Sequence, residues 1–282
     1  MQMQLVSPCK INLNLNVFEK NMDGFHRLQT LMVRVGVFDH MEIAMDDSGK
    51  IDIQVENHPE ISGENNILYS MVEQFQKGNG LDFGIRIFLK KVIPMGAGLG
   101  GGSANAAYLL RFLNQYFNHP MSDQAMYNFA STLGSDVGFF MLDQSWAVCG
   151  GFGNDVYTQG SMEKLPLVLC FPNIALNTGE MYKRLRRPLT WDAVDDKNPI
   201  SFHVEEWEEF KDVLPLENDF ETVIDEPFLE PIKKAFEASG SVHSALSGSG
   251  STVFGLFARQ EQAQNAAKAL EPFGQVFVTS SF

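Results

Sequence analysis

Cysteine is scarce in this 282-residue chain, and the three that occur, Cys9, Cys149 and Cys170, form no C-x-x-C pair. Neither a disulfide framework nor a structural zinc site is therefore expected, and a reducing cytoplasm fits best. Long apolar runs are also missing, since no stretch approaches the roughly 18 residues that a membrane span needs. The stretch from Met1 to Lys10 lacks the apolar core of a secretory signal, so neither secretion nor organelle import is expected.

Basic residues are outnumbered, because 21 Lys and Arg stand against 35 Asp and Glu and give a formal net charge of −14. Non-specific binding to nucleic acid needs clustered cations, so this balance argues against it. A small anionic ligand is not excluded, because backbone N–H groups, a few lysines or a metal ion could hold one. With 44% hydrophobic and 20% charged residues the composition is that of a globular protein, and the length predicts one or two packed units.

Strand-like and helix-like segments do not alternate regularly along the chain. The patterns predict strands at 11–17, 28–37, 51–55, 85–93, 165–171, 252–257 and 275–278. They predict helices at 66–76, 104–117, 123–133, 230–238 and 260–270. Runs of strands and helices without βαβ alternation indicate an α+β fold. The character of the sequence changes near 155–163, so we expect an N-terminal domain at 1–158 and a C-terminal domain at 159–282.

The first predicted strand has two chemically different faces. From Ile11 to Val17, apolar residues alternate strictly with asparagines. A period of two indicates a half-buried strand. Lys10 shares the parity of the asparagines, so we expect it on the polar face, where a ligand could reach it.

The dominant feature is a glycine-rich segment, Pro94 to Ala104, between a predicted strand and a predicted helix. Glycine permits positive φ angles and lets the backbone lie close to a ligand. Several N–H groups and the positive end of a helix dipole would point to one place, which predicts an anion site suited to the phosphates of a nucleotide. A flexible linker is the alternative, but Leu99 and the alanine-rich helix that follows are not typical of linkers.

The glycines do not fit the other common phosphate loops. Gly96, Gly98 and Gly101 satisfy G-x-G-x-x-G, but a dinucleotide fold needs a strand with an acidic residue about 20 residues further on. Here Asp123 opens a second predicted helix instead. No G-K-[ST] follows the glycines, which excludes a P-loop. Asp82-Phe83-Gly84 matches a protein-kinase motif by chance, because it precedes the loop and no H-R-D segment accompanies it.

Asp136 lies within the segment 134–140 among small and apolar residues. Burying a carboxylate without a partner costs on the order of several kcal/mol, so its presence needs an explanation. One interpretation is a general base for a hydroxyl, paired with Lys10. The other is an Asp that caps a helix or turn, and the segment alone does not separate the two.

Further segments offer weaker candidates. Asp23-Gly24-Phe25-His26 places a ring beside an imidazole, which suits a ring-shaped ligand but is more often an ordinary turn. The segment 247–251 is a second candidate phosphate cradle or an ordinary loop. Thr178 and Tyr182 would bring another aromatic side chain from a helix, or lie on a surface helix. The six histidines show no metal spacing, so no metal cage built by the protein is expected.

Taken together, these segments resemble the galactokinase, homoserine kinase, mevalonate kinase and phosphomevalonate kinase (GHMP kinase) superfamily. Within it the chain is similar to the 4-diphosphocytidyl-2-C-methyl-D-erythritol kinase family. The motifs that carry the resemblance follow the order of the family from residue 8 to residue 257. They are Pro8-Cys9-Lys10-Ile11-Asn12-Leu13, Asp23-Gly24-Phe25-His26, Gly100-Gly101-Gly102-Ser103, Gly134-Ser135-Asp136-Val137, Asn218-Asp219 and Leu246-Ser247-Gly248-Ser249-Gly250-Ser251.

The resemblance implies a two-domain α+β kinase with an N-terminal mixed-sheet domain and a C-terminal α/β sandwich domain. Such an enzyme would use ATP with Mg²⁺ to phosphorylate the 2-hydroxyl of a cytidylyl methylerythritol, a step of the non-mevalonate isoprenoid pathway. The implied partners are small molecules, with no nucleic acid and no membrane. The chain would act as a monomer or a homodimer in the cytoplasm.

The resemblance also implies roles for individual residues. Asp136 would be the base and Lys10 its partner. The ATP-binding residues would be Pro94, Met95, Gly96, Ala97, Gly98, Leu99, Gly100, Gly101, Gly102, Ser103 and Ala104, with Asn66 on the adenine side. His26 would read the cytosine edge, with Phe25 and Tyr182 on either side of the ring. The other substrate-binding residues would be Asn12, Ser247, Gly248, Ser249 and Gly250. Ser103 is a candidate Mg²⁺ contact or a helix cap.

Four positions depart from the family pattern without touching the implied catalytic groups. Cys9 replaces Ala, Phe25 replaces Tyr, Ala104 replaces Ser and Gly138 replaces Pro. The alternatives are another GHMP kinase of mevalonate or homoserine type, a non-catalytic nucleotide-binding relative and, more remotely, an NAD-linked oxidoreductase. The acidic stretch 191–226 indicates a solvated helical face, and no function is assigned to it.

Overall fold

The computed structural model describes residues 2–20, 25–185 and 216–282. Asp23 and Gly24 lie outside these ranges, as does the predicted acidic face up to residue 215. Contacts divide the chain into two compact units built from separate stretches of sequence. The first unit comprises Met1–Cys9, Val37–Ile93 and Gly100–Asp143, and the second Lys10–Gly36, Pro94–Leu99 and Gln144–Phe282. The domain boundary expected at residue 158 stays a prediction.

Two long strands, β1 (Gln2–Lys20) and β2 (His26–Asp46), contribute residues to both units. In the first unit, β4 (Gly84–Lys90) pairs antiparallel with the later part of β2 and parallel with β3 (Ile51–Val55). The sheet is therefore mixed, as the resemblance implies.

The helices of the first unit pack on one another beside this sheet. They are α1 (Ile67–Asn79), α2 (Gly101–Tyr116), α3 (Asp123–Leu133) and α4 (Ser135–Met141). Local signals set their limits: Ser122 accepts the N–H of Ala125 at the start of α3, and Gly80 ends α1 in the left-handed conformation. Helix α2 contacts α1, α3 and α4, so it lies at the centre of this helical layer.

In the second unit, the first part of β2 pairs antiparallel with β5 (Trp146–Gly150), and β5 pairs antiparallel with β6 (Asp155–Gly160). A separate antiparallel sheet has the order β10-β7-β9-β8. Its strands are β7 (Pro166–Phe171), β8 (His243–Leu246), β9 (Val253–Leu256) and β10 (Gln275–Ser280).

Helices cover that second sheet. They are α5 (Thr178–Leu185), α6 (Leu229–Ala238) and α7 (Gln260–Leu270). Helix α7 packs on β7 and α6 packs on β8 and β9, which makes an α/β sandwich. Short 3-10 segments lie at Pro59–Ile61, Gly63–Asn65, Asp219–Val223 and Glu271–Phe273. No helix within the described ranges is long and apolar enough to cross a lipid bilayer.

The interpretation of β1 as a half-buried strand is wrong at its centre. Lys10 is 3% exposed, Asn12 is 4% exposed and Asn14 is fully buried. The Asn12 amide donates to Thr30 Oγ1 at 2.7 Å, and Asn14 Oδ1 accepts the N–H of Leu31 at 2.7 Å. Because β2 supplies partners for these asparagines, the polar face of β1 is covered.

All three cysteines are buried free thiols. Burial in the core of the second unit raises the pKa of Cys170 to about 12. This thiol is therefore neutral at physiological pH and acts as a small apolar side chain.

Candidate functional site

The first part of the glycine-rich loop is held by its carbonyl oxygens. Four consecutive ones accept hydrogen bonds within the second unit: Gly96 from Leu176 N (3.3 Å), Ala97 from Thr252 N (3.2 Å), Gly98 from Ser247 Oγ (3.0 Å) and Leu99 from Lys10 N (3.0 Å). Across a planar trans peptide, a carbonyl and the following N–H point in opposite directions. The N–H group that follows each of these carbonyls therefore points away from the segments that hold the loop. Such N–H groups are oriented to donate to an anion.

Gly98 approaches the segment 247–251 more closely than any other residue type could. Its φ is +75°, and a Cβ built there would lie 1.9 Å from the carbonyl oxygen of Ser247. Real side chains do not tolerate such a distance to a backbone atom. The sequence signal of a glycine at this position is thus explained by contact with the second loop.

The later part of the loop opens helix α2 in the first unit. Gly100, at φ 68°, is the N-cap and supplies no side-chain cap. The N–H groups of Gly101, Gly102 and Ser103 belong to the first turn, where a helix has no acceptors of its own. An uncapped N-terminus of a 16-residue helix carries a partial positive charge and suits phosphate oxygens.

Lys10 begins a chain of polar contacts within the second unit. Its Nζ donates to Asn12 Oδ1 at 2.5 Å, and Thr30, the partner of Asn12, donates in turn to the carbonyl of Asn14 at 2.7 Å. A Cβ on Gly248 would lie 3.4 Å from Asn12 Oδ1. The structure thus brings together the predicted residues Lys10, Asn12 and Gly248.

The predicted substrate loop 247–250 is held from two sides. Asn218 Nδ2 donates to the carbonyls of Leu246 and Gly248, both at 2.8 Å. The hydroxyls of Ser249 and Thr178 lie 2.9 Å apart, which connects the loop to the start of α5. The role of Asn218 was missed from the sequence, although the Asn218-Asp219 motif marked the place. Contact of the loop with substrate stays a prediction.

Asp136 is the second residue of α4 and is half-buried, whereas its small and apolar neighbours indicated a buried carboxylate. Its place in the first turn is electrostatically favourable, because a carboxylate there faces the positive end of the helix. Asp136 belongs to the first unit and Lys10 to the second. Their predicted pairing stays a prediction.

His26 presents an unpaired acceptor. Its Nδ1 lies 2.8 Å from the carbonyl oxygen of Phe18. A carbonyl only accepts, so Nδ1 carries the proton, and Nε2 is an acceptor when the ring is neutral. Nε2 is buried and has no hydrogen-bond partner among the described residues. A buried acceptor left in this way can be satisfied by a ligand that supplies an N–H or O–H.

One aromatic ring stacks on His26, and its neighbour Phe25 contacts another ring. Tyr182, on α5, stacks on the imidazole with centroids 5.2 Å apart and planes at 18°. Phe25 is 66% exposed and meets Phe152 edge-on at 6.0 Å. Phe152 was not predicted, because it lies in a glycine-rich turn without a motif. The arrangement of Phe25 and Tyr182 on either side of a base stays a prediction.

Asn66 is the N-cap of α1. Its Oδ1 accepts the N–H of Leu68 at 3.0 Å, and its Nδ2 donates to the carbonyl of Ile61 at 2.9 Å. Both ends of the amide thus serve local structure. The adenine-side role of Asn66 stays a prediction.

The chain matches two family models, GHMP kinases N terminal domain over residues 66–151 and GHMP kinases C terminal over residues 201–274. It is 34% identical to the 4-diphosphocytidyl-2-C-methyl-D-erythritol kinase of Geobacter sp. (strain M21), over 96% of this chain and 95% of that protein. A protein of the same name from Bacteroides fragilis is 35% identical over 90% of this chain and 91% of its own length.

Solved structures agree with these matches. A crystal structure of 4-(cytidine 5'-diphospho)-2C-methyl-D-erythritol kinase superposes with a TM-score of 0.77 at 27% identity, covering 99% of both chains. The mevalonate kinase of Methanococcus jannaschii superposes with a TM-score of 0.70 at 13% identity, covering 100% of this chain and 99% of that one. At that identity the second likeness shows the fold alone.

Proposed function

The chain belongs to the 4-diphosphocytidyl-2-C-methyl-D-erythritol kinases of the GHMP kinase superfamily, and we propose that it phosphorylates the 2-hydroxyl of that cytidylyl substrate. The γ-phosphoryl group of ATP is transferred, which gives the 2-phosphate and ADP in the methylerythritol phosphate pathway. In the structure, the buried and unpaired Nε2 of His26 is the observation that carries the choice of acceptor. We place the reaction in the cytoplasm, because buried free thiols suit a reducing compartment.

The polarity of His26 suits cytosine. Cytosine carries an amino group at position 4, which donates, whereas uracil carries a carbonyl oxygen there, which only accepts. The amino group of cytosine would donate a hydrogen bond to an acceptor at Nε2. The carbonyl oxygen of uracil would instead place a second acceptor opposite Nε2, and no hydrogen bond could form. An exposed ring at Phe25 and the ring of Tyr182 add stacking surfaces, each worth about 1–3 kcal/mol by analogy with protein–base stacking.

The glycine-rich loop suits the phosphates of ATP. Phosphoryl transfer depends mainly on positioning and on stabilising charge, which outward N–H groups and a helix N-terminus provide. Among the described residues, no three side chains of His, Cys, Asp or Glu cluster as a metal cage. Mg²⁺ would be held mainly by the phosphates, with the Ser103 hydroxyl as the candidate protein ligand, and it would neutralise phosphate charge.

Two side chains complete the proposed mechanism. Asp136 accepts the proton of the 2-hydroxyl as that oxygen attacks phosphorus, which a partly exposed carboxylate in a helix first turn can do. Lys10 supplies a positive charge that lowers the proton affinity of the attacking oxygen. Its Nζ is already oriented by Asn12.

The function is tested by ADP release from Mg-ATP with separate acceptors. We expect release with 4-diphosphocytidyl-2-C-methyl-D-erythritol and none above background with mevalonate, with homoserine or without an acceptor. Release with mevalonate or homoserine would keep the kinase and overturn the cytosine pocket. ATP binding without release in any reaction would instead favour a non-catalytic nucleotide-binding protein.

His26→Ala is expected to raise KM for the cytidylyl substrate about ten- to hundredfold, because a hydrogen bond to a buried group is worth about 1–3 kcal/mol. KM for ATP should change less than twofold, since no part of ATP is assigned to this pocket. Steady-state kinetics with each substrate varied in turn provides the measurement.

His243→Ala is the matched control for His26→Ala. His243 lies in the second unit, contacts the Phe254 ring and also has a buried Nε2 without a described partner. Burial lowers the pKa of His243, which favours its neutral ring. We expect both KM values to stay unchanged in this variant. Equal effects of the two variants, or equal effects of His26→Ala on both substrates, would contradict the cytosine-reading role.

A further inference from the structure

A buried polar network lies under the first turns of α2, within the first unit. At its centre is Asp39 of β2, which has no exposed surface. Its Oδ1 accepts the N–H groups of Val92 at 2.8 Å and Ile93 at 2.9 Å. Its Oδ2 accepts from Lys91 Nζ and from Asn105 Nδ2, the latter at 3.0 Å. One carboxylate thus receives four N–H donors.

Asn105 connects this network to α2. It is 2% exposed and lies in the second turn of the helix. Its Oδ1 accepts from Lys91 Nζ at 3.2 Å, and its Nδ2 also donates to Ser7 Oγ at 2.7 Å. Both N–H bonds of the amide and its oxygen are therefore used. Rotation or translation of α2 would break several of these contacts together.

The start of α2 also lies directly on the residues that leave β4. The Lys91 side chain is 7% exposed in its ion pair with Asp39. A Cβ built on Gly101 would lie 3.1 Å from Lys91 Nζ and 2.9 Å from Ile93 Cγ2. Glycine at this first helical position therefore permits the close packing.

We propose that Asp39, Lys91 and Asn105 are positioning residues for nucleotide binding. In this role they do not contact the nucleotide. They hold the uncapped N-terminus of α2 in the orientation in which its N–H groups can bind the phosphates of the nucleotide. A buried ion pair adds little net stability compared with apolar side chains, but its geometry is restrictive. This positioning role rests on the proposed function in one respect only, namely that the protein binds ATP.

Asn105→Ala tests this role, and Asn114→Ala is its matched control. Asn114 lies on the same helix, is 1% exposed and also uses both ends of its amide, with Met121 N at 2.9 Å and Met121 O at 3.1 Å. It lies near the other end of α2. The two variants should lower Tm by similar amounts, because each loses buried hydrogen bonds.

Affinity for a non-hydrolysable ATP analogue, measured by calorimetry on the full chain, is the deciding quantity. We expect Asn105→Ala to weaken it about five- to fiftyfold, since small misplacements of binding groups have large effects. Asn114→Ala should change it less than twofold. KM for the cytidylyl substrate should stay within twofold in both variants. Asn105→Ser serves in the same way should the alanine variant fail to fold.

Unchanged affinity of Asn105→Ala for the ATP analogue, or an equal loss of affinity in the two variants, would overturn the positioning role. The network would then contribute to the stability of the fold alone. The binding measurement does not require turnover. A wild-type chain that binds the analogue but does not phosphorylate the cytidylyl acceptor would contradict the proposed function, while the comparison of the two asparagines would still decide this inference.

Discussion

Asp136→Asn is expected to lower kcat at least a hundredfold while both substrates still bind. Asparagine keeps the size of the side chain but cannot accept a proton, and general base catalysis contributes about 10²–10⁴ in rate. Asp136 is half-buried, so the base role requires that the substrate hydroxyl reach its carboxylate. Single-turnover rates and calorimetric affinities for each substrate would separate the lost chemistry from lost binding.

Asp123→Asn is the matched control, because Asp123 also lies in the first turn of a helix of the first unit. If Asp136 only stabilises the positive end of α4, both variants should cost about 0.3–1 kcal/mol of stability and spare turnover. Near-normal turnover of Asp136→Asn would therefore remove Asp136 from the base role and support the capping interpretation.

The comparisons confirm the α+β fold and the kinase family that the motifs indicated. Elements with clear periodicity were predicted closely: the strand at 51–55 and the helices at 123–133 and 260–270 coincide with β3, α3 and α7. The signal was local in each case. Alternation or amphipathic spacing persists over the whole element, so no tertiary information was needed.

The elements that were missed lack such a signal. All five residues of β5 are buried, so both of its faces are covered and no alternation appears. Strand β8 has only four residues, and α4 has seven and begins after a glycine. In β1 the asparagines looked solvent-facing, because sequence periodicity does not show that β2 supplies their partners.

Candidate site residues could be proposed only where they are close in sequence. The glycine-rich loop and the Phe25-His26 pair were proposed because their motifs are contiguous, and their binding roles stay predictions. The bonds that orient the loop join distant segments: Ser247 and Gly98 are 149 residues apart. Asn105 and Ser7 of the positioning network are 98 residues apart. A single sequence does not show that residues so far apart, such as Asn105 and Ser7, are hydrogen-bonded to each other.

Gly98→Ala is expected to abolish measurable turnover and to weaken binding of the ATP analogue at least a hundredfold, because a displaced loop loses aligned N–H groups. The new Cβ would meet the backbone oxygen of Ser247, which cannot rotate away as a side chain could. The loop must therefore move, and its movement breaks the hydrogen bonds that orient its carbonyls.

Gly240→Ala separates this clash from simple backbone strain. Gly240 lies in the second unit with φ +78°, close to the +75° of Gly98, but nothing lies within 4 Å of a Cβ built there. In both variants an alanine in the left-handed conformation destabilises the fold by about 1–2 kcal/mol. Each should therefore lower Tm by at least a similar amount. Only Gly98→Ala should lose ATP affinity and show a further loss in Tm. If the two variants bind the analogue equally well, contact with Ser247 does not set the conformation of the phosphate loop.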